Sequence, residues 1–173
     1  MMRLRNYGTR ALCAAVILCC CGCGSSKTTV AREEAGQNRV IKDRVKEGNR
    51  EMALKHFIDG ALYDSKGEHA KAILEYQDAA RYDQSPAIFY ALSKDYSIIG
   101  KHALAAQAAK DAIRLDSANM SYRENLAQIF VNAFQNDLAV GVYEEMLQLD
   151  SMYTSAWHNL ARLYQSTHPL KAL

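Results

Sequence analysis

The residues best suited to covalent chemistry in this chain are its five cysteines, which all lie near the amino terminus, at positions 13, 19, 20, 21 and 23. A thiol can act as a nucleophile, a metal ligand, a disulfide partner or an acceptor of a modifying group. Cys20 and Cys23 have the Cys-x-x-Cys spacing of redox and zinc motifs, but this pair stands alone in an apolar segment, so we predict neither chemistry. The rest of the chain has no cysteine, which suits an oxidising compartment.

The histidines do not form a catalytic or metal-binding pattern, since they are scattered over positions 56, 69, 102, 158 and 168. His69 and His102 each stand two residues after a glycine that we assign to a turn, so we interpret them as repeated structural residues. The chain also lacks a Gly-x-Ser-x-Gly sequence, a Walker-type loop and a His-Glu-x-x-His sequence. We therefore predict no catalytic residue, no metal site, no cofactor and no enzymatic activity.

Residues 1–23 have the pattern of an export signal. Three arginines, at positions 3, 5 and 10, precede an apolar stretch over 11–21 that is too short to span a bilayer. The stretch ends in Leu18-Cys-Cys-Cys-Gly-Cys23, which resembles a bacterial lipoprotein signal. In that family a cysteine after a small residue receives the lipid and becomes the mature amino terminus. An ordinary cleaved signal and an uncleaved anchor are the other interpretations.

The lipoprotein resemblance implies a lipid-attachment site and a location. Cys23 is the preferred site because Gly22 precedes it, and Cys21 is the alternative because Leu18 stands three residues before it. We expect a lipid-anchored membrane protein of the bacterial cell envelope that faces the periplasm. Gly24, in the place where aspartate would favour the inner membrane, favours the outer membrane by a rule that holds in some bacteria.

Four segments are predicted along the chain: a lipoprotein-type signal at 1–23, a polar tether and leading helix at 24–48, a repeat domain at 49–168 and a tail at 169–173. The tether begins with Gly, Ser and Thr residues, which favour flexibility, and 31–46 can form a solvated helix. This segment is either a linker or a docking helix for a partner. The net charge is +2, with three cations in the signal, so the remainder is nearly neutral and we predict no nucleic-acid binding.

A repeat of 33 or 34 residues organises the domain. Leu92, Leu126 and Leu160 keep this spacing, and so do four aromatic residues, at 63, 96, 130 and 164. Such a period is typical of a solenoid, in which each unit packs only against its neighbours. Apolar residues recur at three- and four-residue steps, which predicts helices. We expect them at 49–66, 68–81, 86–98, 101–115, 120–133, 136–149 and 153–166.

The repeat resembles that of tetratricopeptide repeat (TPR) proteins. The clearest match is Trp157-x-x-Leu160-Ala161-x-x-Tyr164, and four units in register carry the resemblance over about residues 53–168. It implies an all-α fold, a right-handed superhelix or α-α solenoid of about seven antiparallel helices in three full repeats and a partial fourth. Helix 153–166 is then either a cap or the start of a shortened unit.

Two sets of repeated residues have structural roles in this prediction. Small residues are expected where the helices of a pair cross closely. They are Gly60, Ala72, Ser93, Ala105, Ala127, Ala139 and Ala161. Tyrosines at 63, 76, 96, 143 and 164 are expected to pack in the core rather than to form a binding stripe. Gly67 and Gly100 are expected to adopt the left-handed conformation that ends a helix.

The resemblance also implies a binding groove, lined by the first helix of each unit. The predicted partner-binding residues are Phe57, Tyr90, Lys94, Ser97, Glu124, Gln128, Asn132, His158, Arg162 and Gln165. Polar groups with aromatic anchors suit an extended peptide or a helix. The carboxylate clamp that some family members use to hold chaperone C-termini is not expected, because Phe57, Ala61, Ala91, Ser121 and Asn125 stand at most of its positions.

We therefore expect a non-enzymatic, membrane-anchored TPR scaffold that mediates protein–protein interaction in the cell envelope. The alternative is a self-assembling structural module, a homo-oligomer joined through the exposed end of the incomplete fourth repeat. An apolar end face of Trp157, Leu160, Leu163 and Tyr164 would favour that alternative.

Overall fold

The computed structural model describes residues 26–167, including the side chains of Arg39 and of 41–165. The predicted signal, both candidate lipid-attachment cysteines and the tail at 169–173 lie outside the described residues. The chain forms two structural units, Met1–Ile41 and Lys42–Leu173. The described part of the first unit is the initial stretch of a helix whose exposed residues include Arg39 and Ile41.

Seven α-helices make up the described residues, and they connect through short turns. They are α1 Ser26–Ser65, α2 His69–Tyr82, α3 Pro86–Ile98, α4 His102–Leu115, α5 Met120–Asn132, α6 Asn136–Leu149 and α7 Thr154–Thr167. From α2 onward each helix begins and ends within one residue of its predicted bounds. Among these described helices, none combines the length with the apolar character that a membrane crossing requires.

Helix α1 is much longer than predicted. The sequence predicts a helix from residue 49, preceded by a tether with a separate leading helix, whereas α1 is continuous from Ser26. Residues 31–51 are mostly strong helix formers (Ala, Arg, Glu, Gln and Lys), and this stretch has no proline. Their helix propensity therefore favours an uninterrupted helix. The side chains of 41–52 are exposed, as expected for a solvated helix. The domain division at 48–49 stays a prediction.

Successive helices from α2 to α7 pack against each other, and α3 also contacts α5. The first helices of the second and third units are therefore neighbours. Two groups of buried side chains form the core. Leu92, Leu126 and Leu160 are all buried, which confirms the repeat register.

The small residues are buried as expected in the first three units. Gly60, Ala72, Ser93, Ala105, Ala127 and Ala139 are buried, but Ala161 is exposed. In the earlier units a second helix covers this position, and no such helix follows α7 within the described residues. The tyrosines also pack as predicted: Tyr76 and Tyr143 are buried, while Tyr63, Tyr96 and Tyr164 are half-buried against the core.

One turn geometry ends the first helix of each full unit. Gly67 has a φ of 74° and Gly100 a φ of 75°, as expected for left-handed helix ends. Phe134 occupies the same position in the third unit with a φ of 58°. The residue after each one donates a backbone hydrogen bond to the carbonyl five residues back: Glu68 to Tyr63, Lys101 to Tyr96 and Gln135 to Phe130.

Candidate peptide-binding surface

The ten predicted partner-binding residues all lie on the first helices of the repeats, and none is buried. Phe57 lies on α1, residues 90, 94 and 97 on α3, residues 124, 128 and 132 on α5, and residues 158, 162 and 165 on α7. Because α3 and α5 are neighbours, their exposed side chains share one surface.

The structure brings three of these residues together across α3 and α5, and it pairs two others within α3. Asn132 Nδ2 donates to Ser97 Oγ over 3.3 Å, and Gln128 Nε2 donates to Asn132 Oδ1 over 2.9 Å. The amino group of Lys94 lies 5.9 Å from the centre of the Tyr90 ring. We call Tyr90, Lys94, Ser97, Gln128 and Asn132 the α3–α5 patch.

The Tyr90 ring is held in place by a neighbour that sequence reasoning did not select. Its centre lies 5.3 Å from that of Tyr122, a buried residue at the start of α5. An aromatic ring supported from behind and partly open to solvent offers contact area at a small cost in conformational entropy. Lys94 lies beside it, and the same patch carries the amide groups of Gln128 and Asn132, so the patch can hydrogen-bond to an extended backbone and pack against an apolar side chain.

Glu124 has a different role from the other predicted residues of α5. Its carboxylate accepts hydrogen bonds from Tyr153 Oη, at 3.1 Å, and from Ser155 Oγ. Burial, together with this hydrogen bond, raises the pKa of Tyr153. Glu124 therefore connects α5 to the start of α7, and each of its two carboxylate oxygens already accepts a hydrogen bond within the protein.

Phe57 lies in a hollow between α1 and the start of α3. The hollow has a volume of about 670 Å³, and its apolar lining comes from Ala53, Leu54, Phe57, Ala87 and Ile88. Charged groups of Glu47, Arg50, Glu51 and Asp83 also line it. Its size and lining suit an apolar side chain from a bound segment. In the sequence, the spacing of Ile88 and Ala53 does not distinguish these two lining residues from ordinary core residues.

His158, Arg162 and Gln165 are exposed on α7. No hydrogen bond or ion pair between described residues connects them to the α3–α5 patch. The structure therefore places them on an equivalent helix, one unit further along, but does not join them to the patch.

The predicted apolar end face on α7 is wrong in two of its four residues. Leu160 and Leu163 are buried in the core, and Tyr164 is half-buried and donates a 2.6 Å hydrogen bond to Glu144. These side chains face the preceding unit, while Trp157, one helical turn before Leu160, is 54% exposed. The apolar spacing therefore includes both buried and exposed side chains, and the sequence prediction did not distinguish them.

An exposed apolar row is found instead on α1. Leu54, Ile58 and Leu62 are each half or more exposed and recur every four residues, so they share one face of the helix. Their four-residue spacing could have revealed this row in the sequence.

A group of ionisable side chains at the junction of the first two units was also missed. His69 Nδ1 lies 2.9 Å from Asp95 Oδ1 and 3.1 Å from Asp64 Oδ1. Burial raises the pKa of Asp95 to about 6, although the hydrogen bond with His69 opposes this shift. We call these three residues the junction cluster. The sequence could have revealed this cluster through Asp95, because the equivalent positions in the next two units hold the apolar residues Ile129 and Leu163.

Comparison with known proteins identifies the fold. No family model matches the chain, and no curated protein matches it. Among solved structures, MamA is 19% identical with a TM-score of 0.62, and the match covers 82% of each chain. YrrB, described as a TPR protein with an unusual peptide-binding site, is 17% identical with a TM-score of 0.60, covering 84% of this chain and 76% of that one.

A third similar structure contains a peptide. The second TPR domain of human RPAP3, in complex with an HSP70 peptide, is 17% identical with a TM-score of 0.58, covering 68% of this chain and 97% of that domain. These likenesses and the seven-helix arrangement show that the fold is an all-α TPR solenoid.

Proposed function

We propose that this chain is a non-enzymatic, lipid-anchored TPR scaffold that binds an extended peptide or a helix of another bacterial envelope protein. The α3–α5 patch carries the proposal. It combines a supported aromatic ring, a cation and several amide groups on one surface of two neighbouring helices. The hollow around Phe57 adds an apolar recess that begins on the same helix α3.

The similar structures support a protein partner but not a particular one. YrrB and the RPAP3 domain are TPR proteins with peptide-binding sites or bound peptides. We do not infer that this chain binds the HSP70 peptide, because Phe57, Ala61 and Asn125 stand where a carboxylate clamp needs other residues. The anchor rests on the lipoprotein-type signal, with Cys23 as the acceptor and Cys21 as the alternative.

The test is in-cell crosslinking of the full-length protein followed by identification of what purifies with it. A Tyr90→Ala, Arg162→Ala variant alters the predicted groove. A Lys110→Ala, Gln148→Ala variant, with changes at exposed positions on the second helices α4 and α6, is the matched control. We expect one envelope protein to be captured by the wild type and the control and to be lost from the groove variant. Equal capture by all three proteins would contradict the proposal.

Self-assembly is the second candidate, and the apolar row on α1 favours it. Leu54, Ile58 and Leu62 on α1 and Trp157 on α7 leave exposed apolar groups on the first and last of the described helices. Sedimentation at increasing concentration tests this candidate. An Ile58→Lys change should abolish any concentration-dependent association, whereas a protein that stays monomeric at high micromolar concentration would exclude self-assembly.

A further inference from the structure

Asp95 is an ionisable residue in a position where the repeat places an apolar one. It is only 1% exposed, and its register equivalents Ile129 and Leu163 are both buried core residues. Burying a carboxylate is unfavourable unless other groups compensate for its lost hydration. Oδ1 of Asp95 has His69 as its partner, but Oδ2 is buried with no hydrogen-bond partner among the described residues. Packing therefore does not account for an aspartate here.

Three helices contribute to the junction cluster. Asp64 lies at the end of α1, His69 is the first residue of α2, and Asp95 lies on α3. One donor atom from each residue lies within 4.8 Å of the other two. A single imidazole N–H cannot hydrogen-bond well to two carboxylates at once. The cluster thus has two acids and one imidazole, and no lysine or arginine forms an ion pair with either acid among the described residues.

The distances suit one shared cation. Around a first-row metal ion with bonds of about 2.0–2.2 Å, neighbouring ligand atoms lie roughly 2.8–3.1 Å apart in octahedral geometry and roughly 3.3–3.6 Å apart in tetrahedral geometry. Nδ1 of His69 lies 2.9 Å from Oδ1 of Asp95 and 3.1 Å from Oδ1 of Asp64, which is the octahedral spacing. The side chains of His69 and Asp64 are 22% and 39% exposed, so the cluster is open to entry of an ion and to water ligands.

The next junction lacks these features. Its equivalents are Ser97, His102 and Ile129, so the histidine is kept while both acids are absent. His102 Nδ1 is buried without a hydrogen-bond partner. The histidine thus belongs to the repeat, and the two acids are particular to the first junction.

We propose that Asp64, His69 and Asp95 bind a first-row divalent metal ion of the Zn²⁺ type, which clamps α1, α2 and α3 together. One nitrogen and two carboxylate ligands favour such an ion over Mg²⁺ and Ca²⁺, which prefer oxygen ligands alone. The bound ion coordinates the buried carboxylate of Asp95 and stabilises the packing of the first three helices. This site is independent of the proposed peptide-binding surface.

The test uses the full-length chain without a histidine tag, after treatment with a chelator. Since the amino-terminal cysteines can bind zinc themselves, all five are changed to serine in every protein compared. Isothermal titration with ZnCl₂ and thermal unfolding with and without the ion are the measurements. Co²⁺ is then substituted, because its visible absorption reports the number and type of the ligands.

Asp95→Ile is the main variant, because it installs the residue that the third unit uses and so preserves folding. We expect one ion per chain, a rise in melting temperature on adding Zn²⁺, and a loss of affinity of at least about tenfold in Asp95→Ile and His69→Ala. His102→Ala, the matched control, should bind as the wild type does. Absence of binding, unchanged affinity in Asp95→Ile, or a preference for Mg²⁺ or Ca²⁺ would overturn the assignment.

Discussion

The ring of Tyr76 lies directly against the backbone of Gly60. A Cβ atom placed on residue 60 would stand 2.6 Å from Cε1 of that ring, closer than any side chain tolerates. Tyr76 cannot easily move away, since it is buried and its ring centre is 5.4 Å from that of Phe57. The absence of a side chain at Gly60 therefore sets how closely α1 and α2 approach.

Replacing Gly60 with alanine should destabilise the protein by about 1–3 kcal/mol, because the added methyl group overpacks this crossing. This effect should exceed the gain of about 0.5–1 kcal/mol that alanine brings to a helix interior. The measurement is the free energy of unfolding in urea. Gly141→Ala is the control: residue 141 is also within a helix, but a Cβ there would contact nothing within 4 Å, so stability should rise. Destabilisation by both changes would contradict the packing explanation.

Phe134→Gly should stabilise the protein by about 0.5–1 kcal/mol. Phe134 has a left-handed backbone, a conformation that costs a non-glycine residue about 1–2 kcal/mol. Glycine avoids this cost, but its greater conformational freedom in the unfolded chain offsets part of the gain in stability. The phenyl ring is 92% exposed, so little packing is lost. Denaturant titration measures the change. Gly100→Ala, at the equivalent turn, should destabilise by a similar amount, and a stabilising effect there would refute the argument.

Alkaline pH should weaken the fold through its buried tyrosines. Burial raises the pKa of Tyr76 from 10.0 to about 12, and burial also raises that of Tyr143. The unfolded chain releases these protons first, so the stability from this source is complete below pH 10 and falls as pH rises from 10 towards 12. The measurement is urea unfolding at several pH values. Tyr143→Phe should show a smaller decrease than the wild type, and an identical decrease would contradict the argument.

Cys23→Ala should release the protein from membranes, because it removes the preferred lipid acceptor. Cys21→Ala is the matched control and should remain in the membrane fraction. Fractionation of cells that export the full-length protein, with metabolic labelling by a fatty acid, is the measurement. If Cys21→Ala releases the protein and Cys23→Ala does not, the lipid is attached to Cys21.

The repeat register accounts for what could be predicted from the sequence. Leucines at 92, 126 and 160 are buried at one spacing, and six helices begin and end within one residue of their predicted bounds. Local signals sufficed because each unit packs only against its neighbours. The extent of α1 was missed because polar helix formers with few apolar residues show no amphipathic period.

The residues that departed from prediction depend on which helices surround them. Ala161 follows the small-residue pattern, but no second helix of its unit covers it among the described residues, so it is exposed. Leu163 is buried because α7 packs it against the preceding unit. His69 was interpreted as a repeated structural residue, and its two acidic neighbours, which come from other helices, were missed. Such convergence depends on tertiary structure and leaves only the irregular register position of Asp95 as a signal.

The central claim is that the first helices form the partner-binding surface, and site-specific photo-crosslinking tests it most directly. A photoreactive phenylalanine analogue replaces Tyr90, Lys94 or Gln128 in one set of proteins. It replaces Lys110 or Gln148, which are exposed on second helices, in the other set. We predict that the first set alone crosslinks to another envelope protein in cells. Crosslinks only from the second set, or only between copies of this chain, would contradict the account.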